Sequence, residues 1–453
     1  MQTRRFFCFL LALAIGSAPA YAAEPPAISA PTVDPRIAAL TAAVSAADLR
    51  SLDEKLVSFG TRNLFSEGAT SPGRGVYASR DWIRAQFEAA ATRSGGRMTV
   101  SYDTYVQPKT DRIPRAVEVS SAIASLRGDD PNGGPVYVMS SHYDSRNSDG
   151  NDPTLDAPGA DDNGSGTIAV IEAAKIMAPV RFHGTIIFAC FDGEEQGLFG
   201  SDHFAKVLKS RHADVVANLN NDIMGSSTGH GAERAPDTVR LFSEALPAGI
   251  ATRAVNVYGT ENDSPSRELA RFVKSESEAY VPPMQAELIY RSDRFLRGGD
   301  QQSFAAQGFA AVRFVEKYEN FDHQHQNVRV ENGIQYGDLL QYVDFDYVAR
   351  VTRMNVASLA ALALGPEEPQ SPQLLVKALG YATTLRWKPA SHAVSYEILW
   401  RETSAAQWQF AENVGNVSQA TVQVSKDDYV FGVRAIDTSG LVSPAVYPAP
   451  ARE

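Results

Sequence analysis

Two adjacent carboxylates, Glu194 and Glu195, follow an apolar run in the stretch Phe188–Ser201, FACFDGEEQGLFGS. Side by side they repel each other unless a positive charge holds them. A metal ion serves that purpose, with one glutamate as ligand and the other free to move a proton. A lone acidic turn of this kind is most simply a solvated loop, but here further segments offer groups of the same chemistry. They are His142, the pair Asp161-Asp162, Asp222 and a late histidine, His323 or His325. Each has an ordinary explanation by itself: His142 could close a strand, Asp161 or Asp162 could cap a helix, and Asp222 could make an Asx-turn. Taken together, imidazole and carboxylate groups from several separate segments make a zinc ligand set, and one this rich in acids suits two ions sharing a bridging carboxylate.

The segments that must carry these groups read as strands and helices in alternation. Val136–Ser141, Gly184–Phe191, Val215–Asn221 and Ala311–Glu316 are short apolar runs of strand length. The first three end at His142, at Asp192-Gly193-Glu194-Glu195 and at Asp222, and the fourth ends shortly before Asp322-His323-Gln324-His325. Helical patterns cover Pro35–Phe59, Thr167–Met177, Leu198–Leu208 and Tyr342–Leu364. This alternation predicts an α/β fold with a doubly wound, mainly parallel sheet. In such sheets ligands sit at the carboxyl ends of the strands, where these acids and histidines fall. Cys190 lies mid-strand among large apolar residues, which predicts a buried structural thiol.

Both ends of the 453-residue chain differ from this middle. Arg4 and Arg5 precede the apolar run Phe6–Ile15, and Ala20-Tyr21-Ala22 has the form of a cleavage site, so residues 1–22 read as a signal peptide and the product as exported, periplasmic or secreted. Residues 23–44 read as a leader, flexible in its Ala- and Pro-rich first part. No later stretch reaches the roughly 18 uninterrupted apolar residues that span a bilayer, so no membrane anchor is expected. Removing Arg4 and Arg5, with no acid lost, takes the formal net charge from -11 to -13, an acidity that argues against nucleic acid as a partner. Residues 365–372, GPEEPQSP, form a linker by composition. Beyond it the apolar period changes to two, at Leu385 and Trp387, at Tyr396, Ile398 and Trp400, and at Tyr429, Phe431, Val433 and Ala435. Residues 373–453 are expected to form a small all-β sandwich domain with its own core, able to fold separately.

The motifs HYDSR, PGADDNGSG, FDGEEQGLFGS and NNDIMG, in this order and at these separations, resemble the zinc aminopeptidases of peptidase family M28 over residues 45–364. The strand pattern of the C-terminal part resembles a fibronectin type III module. The M28 resemblance implies a zinc exopeptidase-like fold and two Zn2+ per chain. It would place one ion on His142, Asp162 and Asp222 and the other on Asp162, Glu195 and the late histidine. Asp162 would bridge the ions, Glu194 would be the general base, and Asp144 would hydrogen-bond His142 and fix its tautomer. Spacing to Asn327, where the family usually has Asp, favours His323 over His325. Gln301 stands where relatives commonly have histidine, either on the substrate-facing wall or on the surface. The implied substrates are peptides and the implied activity is aminopeptidase. Arg291, Arg294 and Arg297 keep an M28-type carboxypeptidase open, and a glutaminyl cyclase-like transferase and a non-catalytic binding protein are the remaining readings.

Overall fold

The computed structural model describes residues 26–68, 73–130, 133–245 and 259–452. The signal peptide expected over residues 1–22 lies outside them. The centre of the molecule is an eight-stranded mixed sheet. In chain order its strands are β1 (Met98–Gln107), β2 (Val117–Leu126), β3 (Val136–His142), β4 (Thr185–Phe191), β5 (Val215–Asn221), β6 (Thr238–Ser243), β7 (Gln285–Ile289) and β8 (Ala311–Glu316). Their order across the sheet is β1-β2-β4-β3-β5-β8-β6-β7.

The four inner strands β4, β3, β5 and β8 are mutually parallel, and these are the four apolar runs legible in the sequence. The joins between β1 and β2, β2 and β4, and β6 and β8 are antiparallel. Strands buried on both faces read as continuous apolar runs. The flanking strand β1 is only half covered, and its apolar residues alternate with polar ones.

Helices cover both faces. The expected helix over Pro35–Phe59 is two, α1 (Pro35–Ala42) and α2 (Ala46–Val57). The break falls where Ser45 turns extended and its side chain caps α2 by accepting from the Asp48 N–H. Next come α3 (Val76–Ala91), α4 (Gly166–Met177), the short α5 (Glu194–Gly197), α6 (Phe199–Ser210), α7 (Pro265–Tyr280) and α8 (Gln301–Ala306). The last is α9 (Phe345–Leu364), capped by the Asp344 carboxylate on the Tyr347 N–H and buried over most of its surface. Helices α1, α2, α4, α7 and α9 pack on one face of the sheet and share a single apolar core that includes Ile37, Leu56, Ile168, Phe188, Val273 and Met354. Cys190 is a buried free thiol in that core, its acidity reduced by burial to a value of about 12, as its mid-strand position predicted.

The expected sandwich is present as two packed sheets of four and three strands. They are built from β11 (Gln370–Leu375), β12 (Thr383–Lys388), β13 (Ser395–Glu402), β14 (Phe410–Gly415), β15 (Gln419–Val422), β16 (Tyr429–Ile436) and β17 (Ala449–Ala451). A hairpin of β9 (Arg329–Glu331) and β10 (Ile334–Tyr336) precedes them in the chain. The sandwich core holds Leu385, Trp387, Tyr396, Ile398, Trp400, Phe431 and Val433, the residues whose alternation predicted it.

Two expectations about the chain's ends change. The segment between α9 and β11 is shorter than the composition suggested, and Gly365, Pro366 and Pro369 within it are buried. The part of the leader that can be followed is no loose tail: Ala27 bridges to Phe410 of the sandwich, and Ile37 and Leu40 of α1 enter the main core.

Candidate metal centre and catalytic site

The carboxyl ends of β3, β4 and β5 bring the chemistry together. His142 is the last residue of β3, Asp222 follows β5, and Glu194 and Glu195 open α5 one tight turn after β4. That turn needs Gly193, which has a left-handed φ of 73°. Asp162 arrives from the loop before α4. The side chains form two groups of potential ligands, His142 with Glu194 and Asp222, and Asp162 with Glu195 and His325, each with donor atoms within 4.8 Å of one another.

Asp162 joins the two groups. Its Oδ1 is 3.4 Å from His142 Nε2 and its Oδ2 is 3.0 Å from His325 Nε2. His142 Nε2 is also 3.5 Å from Asp222 Oδ1 and 4.0 Å from Glu194 Oε2. His325 Nε2 lies 2.9 Å from Glu195 Oε2. Asp162, Glu195, His142 and Asp222 are all buried, while Glu194 and His325 keep partial access to the cleft.

The electrostatics follow from crowding these charges away from water. Burial alone would raise the Asp162 carboxyl, but His325 and His142 overcome it and hold the group well below the usual carboxylate range. Burial would lower His325, yet Glu195 and Asp162 push it up to about 10. For Glu194 burial dominates and drives the carboxyl well above its ordinary value; His142 pulls the other way, and Asp222 and Glu195 add to the rise. A carboxylate whose proton affinity is raised above that of a free glutamate suits general-base work.

The late histidine corrects the sequence expectation. His325, not His323, reaches Asp162 and Glu195; the His323 ring instead stacks on Tyr342 with centroids 3.7 Å apart. The physical reason is local: residues 321–325 form a compact turn, and His325 leaves it with φ 54°, which brings its ring to the centre. Asn327, the anchor of the spacing estimate, is occupied elsewhere, its Oδ1 accepting from the Ser148 N–H and hydroxyl. Gln301 is neither surface nor cleft wall: it is buried, and its Nε2 donates to Asp293 Oδ2 over 2.8 Å. Asp161 is structural, its Oδ1 accepting from the Gly225 N–H over 2.7 Å.

Asp144 does more than orient His142. His142 Nδ1 is 3.4 Å from Asp144 Oδ1 and 3.2 Å from the Asp144 carbonyl oxygen. The two carboxylate oxygens also accept from the backbone N–H groups of Glu194 and Glu195, over 3.2 and 3.1 Å. One buried carboxylate thus fixes the histidine and the acidic turn together.

Three positioning residues escaped the sequence reading. Buried Arg313 on β8 donates to Asp222 Oδ2 over 2.8 Å and to Asp293 Oδ2 over 2.6 Å. Asp338 accepts from the N–H groups of Asp161 and Asp162 over 2.9 and 2.7 Å. Arg62 donates to the carbonyls of Tyr143, Pro158 and Gly159 and pins the long loop between β3 and α4. Nothing local in the sequence marks this arginine as buried.

Comparison with known proteins gives this geometry its family. A probable zinc metalloprotease of Leptosphaeria maculans is 44% identical over 427 residues, covering 93% of this chain and 98% of its own length. A probable zinc metalloprotease of Pyricularia oryzae is 42% identical over 93% of this chain and 86% of its own. The family model for peptidase family M28 matches residues 121–342, the span that holds both ligand groups. The chain belongs to peptidase family M28. It is a zinc-dependent peptidase, a hydrolase acting on peptides. Among solved structures, the Legionella pneumophila LapA aminopeptidase superposes with a TM-score of 0.51 at 17% identity, covering 74% of this chain and 77% of that one. At that identity the likeness speaks for the fold, a peptidase sheet with its helices.

The residues of this M28 chain fit zinc. Imidazole and carboxylate donors are what zinc takes. Asp222 Oδ1 is buried and accepts no hydrogen bond, although Arg313 satisfies its sister oxygen. An orphaned buried carboxylate oxygen beside His142 is costly unless a cation takes it. The site opens into a cleft of about 480 Å³, with Asp162, Glu194, Glu195, Asp222 and His325 in its lining.

Proposed function

We propose that this protein is an exported di-zinc exopeptidase that releases the N-terminal residue of peptides. The observation that carries the two-metal reading is the position of Asp162, one carboxylate facing His142 with one oxygen and His325 with the other. His142, Asp162 and Asp222 would hold one ion, and Asp162, Glu195 and His325 the second. Bound zinc would supply Lewis-acid chemistry, polarising the scissile carbonyl and making water more acidic.

The protein's own groups do the rest. Glu194, partly open to the cleft and with raised proton affinity, takes a proton from the attacking water and returns it to the leaving amine. Asp144 keeps the Glu194 backbone and the His142 ring in fixed relation. Arg313 holds one oxygen of Asp222 and leaves the other directed at the centre. The carboxylates around the ions offer a seat for a substrate ammonium group, which supports the N-terminal end as the one read.

A carboxypeptidase is the second reading, favoured by the cationic residues that share the cleft. Arg291 does not contribute: it lies over the Phe295 ring at 3.9 Å and is not part of the lining. The C-terminal sandwich fits a fibronectin type III-like accessory module, and residues 1–22 fit a signal peptide that directs export.

The test is hydrolysis of a peptide with a free N-terminus beside its N-acetylated counterpart, with products identified by mass. Loss of the N-terminal residue from the free peptide alone is expected. Glu194→Gln should retain zinc and lose about two to four orders of magnitude in kcat. Rapid trimming of the acetylated peptide from its C-terminus would replace the first reading by the second. Full activity in Glu194→Gln would overturn the mechanism.

A further inference from the structure

Five arginines line the same cleft as the metal groups: Arg112, Arg146, Arg294, Arg297 and Arg313. The acidic residues in that lining are Asp162, Glu194, Glu195 and Asp222, which are the three carboxylate ligands of the proposed centre and its base. With cations in the centre, the charged groups left in the lining are the arginines. The arginines are not equivalent. Arg294 and Arg297 share Glu319, over 2.6 and 2.7 Å, Arg294 also pairs with Asp293, and Arg313 is taken by Asp222 and Asp293. Those three are held by carboxylates of the protein.

Arg112 and Arg146 are different. Among the described residues neither forms an ion pair. Arg112 donates one guanidinium N–H to the Glu195 carbonyl oxygen over 3.2 Å, so it stands directly beside the metal-facing turn. Arg146, two residues after Asp144, donates to the carbonyls of Asn147 and Ser148 over 3.1 and 3.2 Å. The acids of the same loop are committed elsewhere: Asp149 accepts from the Asn151 N–H, and Asp152 accepts from Thr154 and Asn147. The two loops are tied to each other and to α5, through Asn151 Nδ2 on the Arg112 carbonyl and Gln196 Nε2 on the Gly150 carbonyl. Two guanidinium groups are therefore oriented by neutral carbonyls and face the cleft.

We propose that Arg112 and Arg146 form a carboxylate-recognition wall that makes this peptidase prefer substrates presenting a carboxylate inside the cleft. Arginine suits the task because its fixed planar fork matches a carboxylate with paired, charge-assisted hydrogen bonds. The carboxylate has two possible sources, an acidic side chain at the N-terminal residue or the C-terminal carboxylate of a very short peptide. The inference rests on the zinc exopeptidase reading and extends it to substrate class.

Two matched pairs of substrates separate the sources, with the zinc-loaded full chain as enzyme. Glu-Ala amide against Gln-Ala amide tests the side chain, and Leu-Ala against Leu-Ala amide tests the terminus. At least one pair should show a preference in kcat/KM of roughly ten-fold or more for the carboxylate, carried mainly by KM. In Arg112→Gln and Arg146→Gln that ratio should collapse, with Arg146→Lys restoring part of it. Because the readout is a ratio within one variant, partial loss of folded enzyme does not affect it. Equal rates within both pairs in the unmodified protein, or a preference unchanged in both variants, would overturn the proposal. Should the protein hydrolyse none of these peptides, the exopeptidase reading fails on its own. The wall is then judged by calorimetry, as tighter binding of glutarate than of glutaramide to the zinc-loaded protein, lost in Arg112→Gln and Arg146→Gln. Equal binding of the two probes would overturn the wall as well.

Discussion

Two histidines two positions apart in the sequence have separate fates. His325 is squeezed between the carboxylates of Asp162 and Glu195, and His323 lies against Tyr342. If Asp162, Glu195 and His325 hold a second zinc as proposed, His325→Ala should cost that ion and with it nearly all activity, because a three-residue ligand group is reduced to two acids. His323→Ala should leave the metal content unchanged and lose only the stacking contact, about 0.5–1.5 kcal/mol beyond the area lost. Metal content by mass spectrometry on both variants checks this, and loss of zinc from the His323 variant with retention in the His325 variant would reverse the assignment. Nothing in the composition of DHQH separates the two. What separates them is the backbone turn that ends at His325, a property of the folded loop.

At the scale of elements, the site is held by segments that contribute no ligand. The hairpin of β9 and β10 turns on Asn332-Gly333, both at positive φ, a sequence signal for a two-residue hairpin loop. Soon after it the chain delivers Asp338, whose carboxylate accepts from the N–H groups of Asp161 and Asp162 and so fixes the backbone that aims the shared ligand. Asp338→Ala would leave those two buried N–H groups without partners, at about 1–3 kcal/mol each. A fall of that order in unfolding free energy, together with weaker zinc retention against a chelator, is the expected result. A variant with unchanged stability and zinc affinity would show that water or another group replaces the carboxylate. The role of Asp338 was not legible, because it lies more than 170 residues along the chain from the loop it holds.

The whole molecule is more tightly joined than its linker suggested. Arg401 of the sandwich is paired at 2.5 Å with Asp263, both within 1% of full burial. Trp408 Nε1 donates to Glu268 over 2.9 Å, Arg271 Nε donates to the Ala406 carbonyl over 2.8 Å, and Leu441 is part of the main core. The His183 and His392 rings stack across the same junction at 4.0 Å. The L. maculans relative matches over 93% of this chain, so most of the sandwich belongs to the matched region. Removing one member of a buried ion pair strands the other, at about 3–5 kcal/mol. Arg401→Ala should lower stability by that order in denaturant unfolding. A chain ending at Gly365 should be insoluble or markedly less stable, since Asp263, Glu268 and Arg271 all lose sandwich partners. A truncated protein that unfolds at the full chain's midpoint would restore the separable module that the Pro- and Glu-rich composition of residues 365–372 implied.

Sequence alone determined what repeats along the chain or stays local to a few residues. The four inner strands announced themselves because burial on both faces demands unbroken apolar runs. The sandwich announced itself through the period-two pattern of Trp387, Tyr396, Ile398 and Phe431. His142, the pairs Asp161-Asp162 and Glu194-Glu195, and Asp222 stood out because such groups gather at the carboxyl ends of strands, and the M28 resemblance singled out Asp162 and Glu195 among them. Tertiary structure decided what depends on distant segments meeting. It chose His325 over His323, set Asp338, Arg313 and Arg62 behind the ligands, buried part of the linker and packed the leader's helix into the main core. An arginine or aspartate in a polar loop carries the same local signal whether it is solvated or clamped to a partner a hundred residues away. Only the fold, by removing water and supplying that partner, makes the difference.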